Sequence, residues 1–210
     1  MEKTIKSDRI KGILCIIASA CGFAVMSAFI KLAGDLPSFQ KTFFRNLVAA
    51  VIALYLIIKH KGSLVGKKEN RKILILRSTF GTIGIICNYY AVDRLVLSDA
   101  NMLNKLSPFL VVIFCALFLK EKINLKQITM VSVAFIGALF IIKPSFNVEV
   151  LPYLVGVLGA IGAALAYTCV RALGNKEDYY TIVFFFSAFS LIVILPICVV
   201  VYKPMTMIQV

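Results

Sequence analysis

An all-α integral membrane protein of about seven transmembrane helices is the fold class that three features of this sequence predict. Of its 210 residues 60% are apolar and 16% charged, where a soluble domain carries about 45–50% and about 25%. Mean hydropathy is +0.93. Seven apolar runs match the ~20 residues that a helix needs to cross ~30 Å of hydrocarbon: residues 13–33, 39–58, 73–92, 95–119, 125–142, 154–173 and 180–202. A globule of this size puts most of its residues at the boundary and could not hide so much apolar surface. That excludes a soluble enzyme, a secreted disulfide scaffold and a disordered chain. The runs do not alternate apolar with polar residues, as the strands of a membrane barrel would.

The first run follows Lys3, Lys6, Arg9 and Lys11 and so resembles an export signal. The apolar stretch before the small residues Ala18-Ser19-Ala20-Cys21 is short, however, and apolar sequence continues through Phe29-Ile30, which predicts a retained helix. Gly34-Asp35-Leu36-Pro37 breaks the chain before the second run. The polar, basic stretch 59–72 is the one long loop. Lys143-Pro144-Ser145 and Gly174-Asn175 supply the later turns.

Lys and Arg in the loops orient the chain, because basic loops stay in the cytoplasm. With the N-terminus inside, the inner segments hold fifteen basic residues and the outer ones five, namely Lys31, Lys41, Arg94, Lys143 and Lys203. The sequence therefore predicts a multi-pass protein of the cell membrane with its N-terminus cytoplasmic and, after seven spans, its C-terminus outside. The net charge of +13 reads as these topology-setting charges, with no nucleic acid as partner. The six cysteines all lie inside apolar runs and read as packing residues, neither a disulfide framework nor a metal site.

At an offset of 140 residues the first two runs align with the last two. Gly22 meets Gly162, Ala24 meets Ala164, Lys31 meets Arg171, Gly34 meets Gly174 and Phe44 meets Phe184. One repeat unit then holds five spans, and an odd number makes the second copy enter from the opposite side. Inverted repeats of this kind are common in secondary transporters, which bind substrate near the midplane between them.

The residues that carry a family likeness are Phe43-Phe44-Arg45-Asn46 opening the second span and residues 100–108 (ANMLNKLSP) in the fourth. Leu119-Lys120-Glu121-Lys122 before the fifth span and Gly137-Ala138-Leu139 within it complete the pattern. In their order and spacing these resemble the five-span unit of EamA-type transporters in the drug/metabolite transporter superfamily. The resemblance implies a first five-helix unit over residues 12–145 and the first two helices of an inverted second unit over 152–210. It also implies a ten-helix parent of which this chain is a fragment, one that moves small metabolites or amino-acid-like solutes.

Charges inside spans are costly, on the order of 2.5–3.5 kcal/mol each at a helix centre, and mark partners or watery cavities. Arg45 and Arg77 lie a turn or two inside their runs, where they either snorkel to the interface or line a cavity. Lys105, ten residues into its run, is harder to explain by snorkelling. Asn101, Asn104, Lys105 and Pro108 fall at i, i+3, i+4 and i+7, one helical face. Pro108 cannot bond the carbonyl of Asn104, so a kink and a free acceptor are expected together. This face reads either as a substrate-cavity wall or as a polar helix–helix contact. Arg77, Gly81, Gly84 and Asn88 make a second face, with Gly81 and Gly84 read as packing and Asn88 with Tyr89 as cavity candidates. The three interior basic groups favour a carboxylate or phosphate-bearing solute, although Asp99 could neutralise one of them.

No metallopeptidase, serine-hydrolase or phosphate-loop motif is present, and no cofactor is implied. The reading is a secondary carrier of a small solute, working by alternating access in the lipid bilayer, with self-association expected if the chain stands alone. The alternative is a non-transporting seven-helix membrane scaffold or receptor-like protein.

Overall fold

The computed structural model describes residues 2–32, 34, 36–121, 124–142 and 150–204. Lys122 and the turn at Lys143-Pro144-Ser145, both used in the sequence reading, lie outside them. Among the described residues the chain is helical: α1 (Glu2–Leu32), α2 (Ser38–His60), α3 (Arg71–Arg94), α4 (Leu97–Asn104), α5 (Ser107–Leu119), α6 (Leu125–Ile142), α7 (Val150–Leu173) and α8 (Tyr179–Val200). Short 3-10 turns precede α3 and follow α7. Six helical stretches among these residues are long and apolar enough to cross a membrane, and α6 forms over the run expected for the fifth span.

The chain divides into two compact units, α1 in one and everything from Leu36 to Pro204 in the other. In α1, large apolar side chains such as Ile16 and Phe29 are exposed.

Within the second unit two antiparallel helix pairs dominate. The α3–α7 pair meets backbone to backbone. A Cβ on Gly84 would come within 2.8 Å of the Ala163 amide nitrogen, and one on Gly162 within 3.0 Å of the Gly84 Cα. Gly159 faces Cys87 and Asn88 in the same way, and Gly156 faces Ala91 and Leu103. Small residues at this spacing let membrane helices approach closely, which matters where lipid removes the hydrophobic drive for association. Gly84 thus plays the packing role that the sequence suggests.

The α2–α8 pair is held by polar contacts along its length. Gln40 Nε2 donates to the Lys203 carbonyl at 3.0 Å, and its Oε1 accepts from the Lys203 amide at 3.1 Å. Asn46 Nδ2 donates to Ser190 Oγ at 2.8 Å, and Thr181 Oγ1 to the Ser63 carbonyl at 2.8 Å. At the Gln40 end, Lys41 Nζ pairs with Asp93 Oδ1 at 2.6 Å, and Ser38 Oγ donates to Asp93 Oδ2. At the Thr181 end, Glu177 Oε1 accepts from the Lys67 amide and from Asn70 Nδ2, and His60 stacks on Tyr180.

These contacts gather the basic loops. The 61–70 segment is tied to the α7–α8 turn, and Arg171 at the end of α7 pairs with Glu121 at the end of α5. Lys59, Lys61, Lys67, Lys68, Arg71, Lys72, Lys120, Lys126, Arg171 and Lys176 therefore share one end of the unit, while Lys41, Arg94 and Lys203 are at the other. Gly174, with φ +49, makes the tight turn that returns the chain from α7 to α8, a backbone conformation that glycine adopts at no steric cost.

The fourth span departs from expectation. It is not one kinked helix but two, α4 and α5, separated at Lys105 and Leu106 with Pro108 in the first turn of α5. The acceptor expected to be free is not: the Asn104 carbonyl accepts from Ser107 Oγ at 2.9 Å. A serine just ahead of the proline supplies the donor that the proline lacks.

Candidate functional site

The site begins with Arg77 on α3. Its guanidinium lies over the Phe186 ring of α8, 3.9 Å from the centroid, a cation–π arrangement that stabilises a desolvated cation by about 2 kcal/mol. Gly81, one turn along α3, creates the room. A Cβ there would meet Arg77 Nη1 and Phe186 Cε2, each at 2.8 Å. Gly81 therefore leaves room both for the guanidinium and for the Phe186 ring of the neighbouring helix.

Arg77 does not snorkel. Its Nε and Nη1 are buried and have no hydrogen-bond partner among the described residues. Three further buried polar atoms share that state: Thr82 Oγ1 and Tyr89 Oη on α3, and Ser187 Oγ on α8. Thr82 and Tyr89 stand two helical turns apart on one side of α3, and Ser187 follows Phe186. A buried polar group without a partner costs about 1–3 kcal/mol, so several in one helical unit amount to an appreciable destabilisation. A polar ligand would relieve it.

Arg45 on α2 reaches the same interior and interacts electrostatically with both Arg77 and Tyr89; Tyr167 on α7 also reaches Arg77. Arg45 Nη1 donates to Asn46 Oδ1 at 3.3 Å, and Asn46 passes the chain of bonds on to Ser190. Helices α2, α3, α7 and α8 thus contribute two guanidinium groups, two phenols and hydroxyl groups.

Of the residues that the sequence singled out, Arg45 interacts electrostatically with Arg77 and with Tyr89. Asn88 is half-buried and its backbone lies against Gly159 of α7. Asn101 is half-buried, whereas Asn104, Lys105 and Pro108 are exposed at the α4–α5 break. Sequence reasoning missed Asn46, Thr82, Tyr167, Phe186, Ser187 and Ser190. The signal available was Ser187 and Ser190, i and i+3 in the most apolar run of the chain. Phe186, one of three consecutive phenylalanines in α8, is the aromatic bed of Arg77.

A second buried polar group lies apart from this cluster. Asp99, 1% exposed, accepts from Tyr153 Oη of α7 at 2.6 Å and from Ser98 Oγ at 3.2 Å. Among the described residues no cluster of three His, Cys, Asp or Glu side chains is placed to hold a metal ion.

The chain is 33% identical over 188 residues to the pseudopaline exporter CntI of Pseudomonas aeruginosa, an alignment covering 89% of this chain and 66% of that protein. It is 28% identical to solute carrier family 35 member G1 of Mus musculus, over 86% of this chain and 52% of that one. It is 27% identical to a riboflavin transporter of Brucella anthropi, over 69% and 53%. The chain thus spans between half and two thirds of the length of these relatives. No solved structure matches it. The model of the EamA-like transporter family matches residues 10–143, and the chain belongs to that family of multi-pass membrane transporters.

Proposed function

We propose that this chain carries the substrate site of a secondary carrier for a small carboxylate-bearing or amino-acid-like solute, moved by alternating access. The observation that carries the reading is the buried guanidinium of Arg77, two of whose nitrogens are unpartnered among the described residues, with Arg45 interacting electrostatically both with it and with Tyr89. A carboxylate would accept from these donors and offset their burial. The antiparallel seam between α2 and α8 supports an inverted repeat, since these are the two spans that the 140-residue offset equates. In this reading the second unit begins at residue 152, and alternating access rocks one unit against the other. The end rich in Lys and Arg is cytoplasmic, which puts Lys41, Asp93 and Lys203 outside. Asn101, Asn104 and Lys105 at the α4–α5 break, together with Asn88 and Pro108, extend the cavity wall.

The test is counterflow of labelled carboxylates, amino acids and a neutral sugar in proteoliposomes of the full-length protein. Flux of an acidic or amino-acid solute, with KM raised about 10- to 100-fold in Arg77→Gln, is expected from the loss of a hydrogen bond to a charged group. Tyr89→Phe should raise KM less. Wild-type kinetics in Arg77→Gln would overturn the assignment.

A further inference from the structure

Away from this interior, a cavity of about 220 Å³ opens between the last turns of α5, the first turns of α6 and the end of α7. Its walls are apolar, with Val111, Val112, Cys115 and Val131 among them, and its rim is polar: Gln127, Glu121 and Arg171. Glu121 takes Nε and Nη2 of Arg171, at 2.9 and 2.8 Å, while Nη1 has no partner among the described residues. The pair is exposed, so the contact is worth little in water and does not seal the rim. Lys120 and Lys126, both exposed, adjoin Glu121 and Gln127 in the chain. The mouth of this apolar groove thus carries Arg171 and Glu121, and two more exposed cations, Lys120 and Lys126, stand one residue from its rim in the chain.

We propose that this groove binds an anionic phospholipid. The start of an acyl chain lies against the valines and Cys115, and the phosphate lies among Lys120, Lys126 and Arg171. Charge complementarity selects this occupant. A zwitterionic lipid fills the apolar walls equally well but leaves the rim net positive, whereas an anionic headgroup neutralises it. Free phosphate would satisfy the rim alone and leave the apolar walls without a partner. The inference rests on the helices meeting the membrane surface at this end and not on the substrate reading of the Arg77 interior.

The purified chain, held in detergent with equal phosphatidylglycerol and phosphatidylcholine, tests this by native mass spectrometry and by thermal unfolding. Wild-type protein should retain phosphatidylglycerol preferentially and gain melting temperature from it. Lys120→Gln and Lys126→Gln should each lower that preference about fivefold, the effect of one basic residue at an anionic surface. Glu121→Gln, which releases Arg171 to the phosphate, should raise it. This opposite sign separates lipid binding from a merely structural ion pair, and it can be read even if Arg171→Gln fails to fold. Equal retention of the two lipids, unchanged preference in the lysine variants, or stabilisation by inorganic phosphate as large as that by phosphatidylglycerol would overturn the proposal. So would filling of the groove by a second copy of the chain, seen as a dimer that carries no lipid.

Discussion

Asn46 and Ser190 are both fully buried and bonded across the α2–α8 seam, so each removes the other's desolvation cost. Interhelical hydrogen bonds in membranes average about 0.6 kcal/mol in double-mutant cycles and reach about 1.7. Asn46→Ala and Ser190→Ala should each destabilise the chain by about that much and show coupling of similar size in a denaturant unfolding cycle. Additive effects would mean that the 2.8 Å contact contributes nothing net. Gly81→Ala acts differently, because the atoms in its way are the mobile ends of Arg77 and Phe186. It should leave the melting temperature within a few degrees of wild type yet change transport kinetics, as the guanidinium is pushed off the ring. Arg77 was legible in the sequence because a charge inside an apolar run announces itself. Phe186 was not, since one phenylalanine of three consecutive ones is selected only by the rotation of α8 against α3.

The helices themselves were largely legible, because length and apolarity decide what can cross a bilayer and neither depends on neighbours. Residues 39–58, 73–92 and 180–202 of the sequence reading became Ser38–His60, Arg71–Arg94 and Tyr179–Val200, displaced by no more than two residues. The break in the fourth span was legible through Pro108, but the Ser107 hydroxyl that caps Asn104 was not, because only the local backbone geometry brings them together. The α3–α7 crossing is also testable at this scale. Gly84→Ala and Gly162→Ala place a Cβ against backbone that cannot yield, so each should destabilise by about 1–3 kcal/mol, as overpacking does. Gly137 on α6 has nothing within 4 Å, and Gly137→Ala should be neutral or stabilising by up to ~1 kcal/mol from helix propensity. Unfolding midpoints of the three variants check the contrast; equal losses in all three would refute the seam.

For the whole molecule the informative quantity is the segregation of charge. Loop counting predicts sidedness, and the structure independently gathers the same basic loops at one end through Ser63–Thr181, Asn70–Glu177 and Glu121–Arg171. Single cysteines replacing Lys68 or Lys203, in a cysteine-free background, should be separable with an impermeant thiol reagent on intact cells. Labelling is expected at position 203 and not at position 68; the reverse would invert the proposed topology. Which helices pair could not be read from the sequence. Partner choice rests on Gly-to-Gly contact and on single hydrogen bonds, and an apolar membrane helix carries many candidates for both.

The glycine seam has a further consequence in entropy. Most helix contacts freeze side-chain rotamers, and each long side chain so ordered costs up to about 1.5–2 kcal/mol. Gly84, Gly159 and Gly162 have no rotamers to freeze. Where α3 and α7 touch they gain dispersion contact between backbones already fixed by their own helical hydrogen bonds, and the ordering cost there is close to zero. In a solvent of lipid tails, which gives two apolar helices no reason to prefer one another over hydrocarbon, the surfaces with the least freedom to lose make the firmest joint.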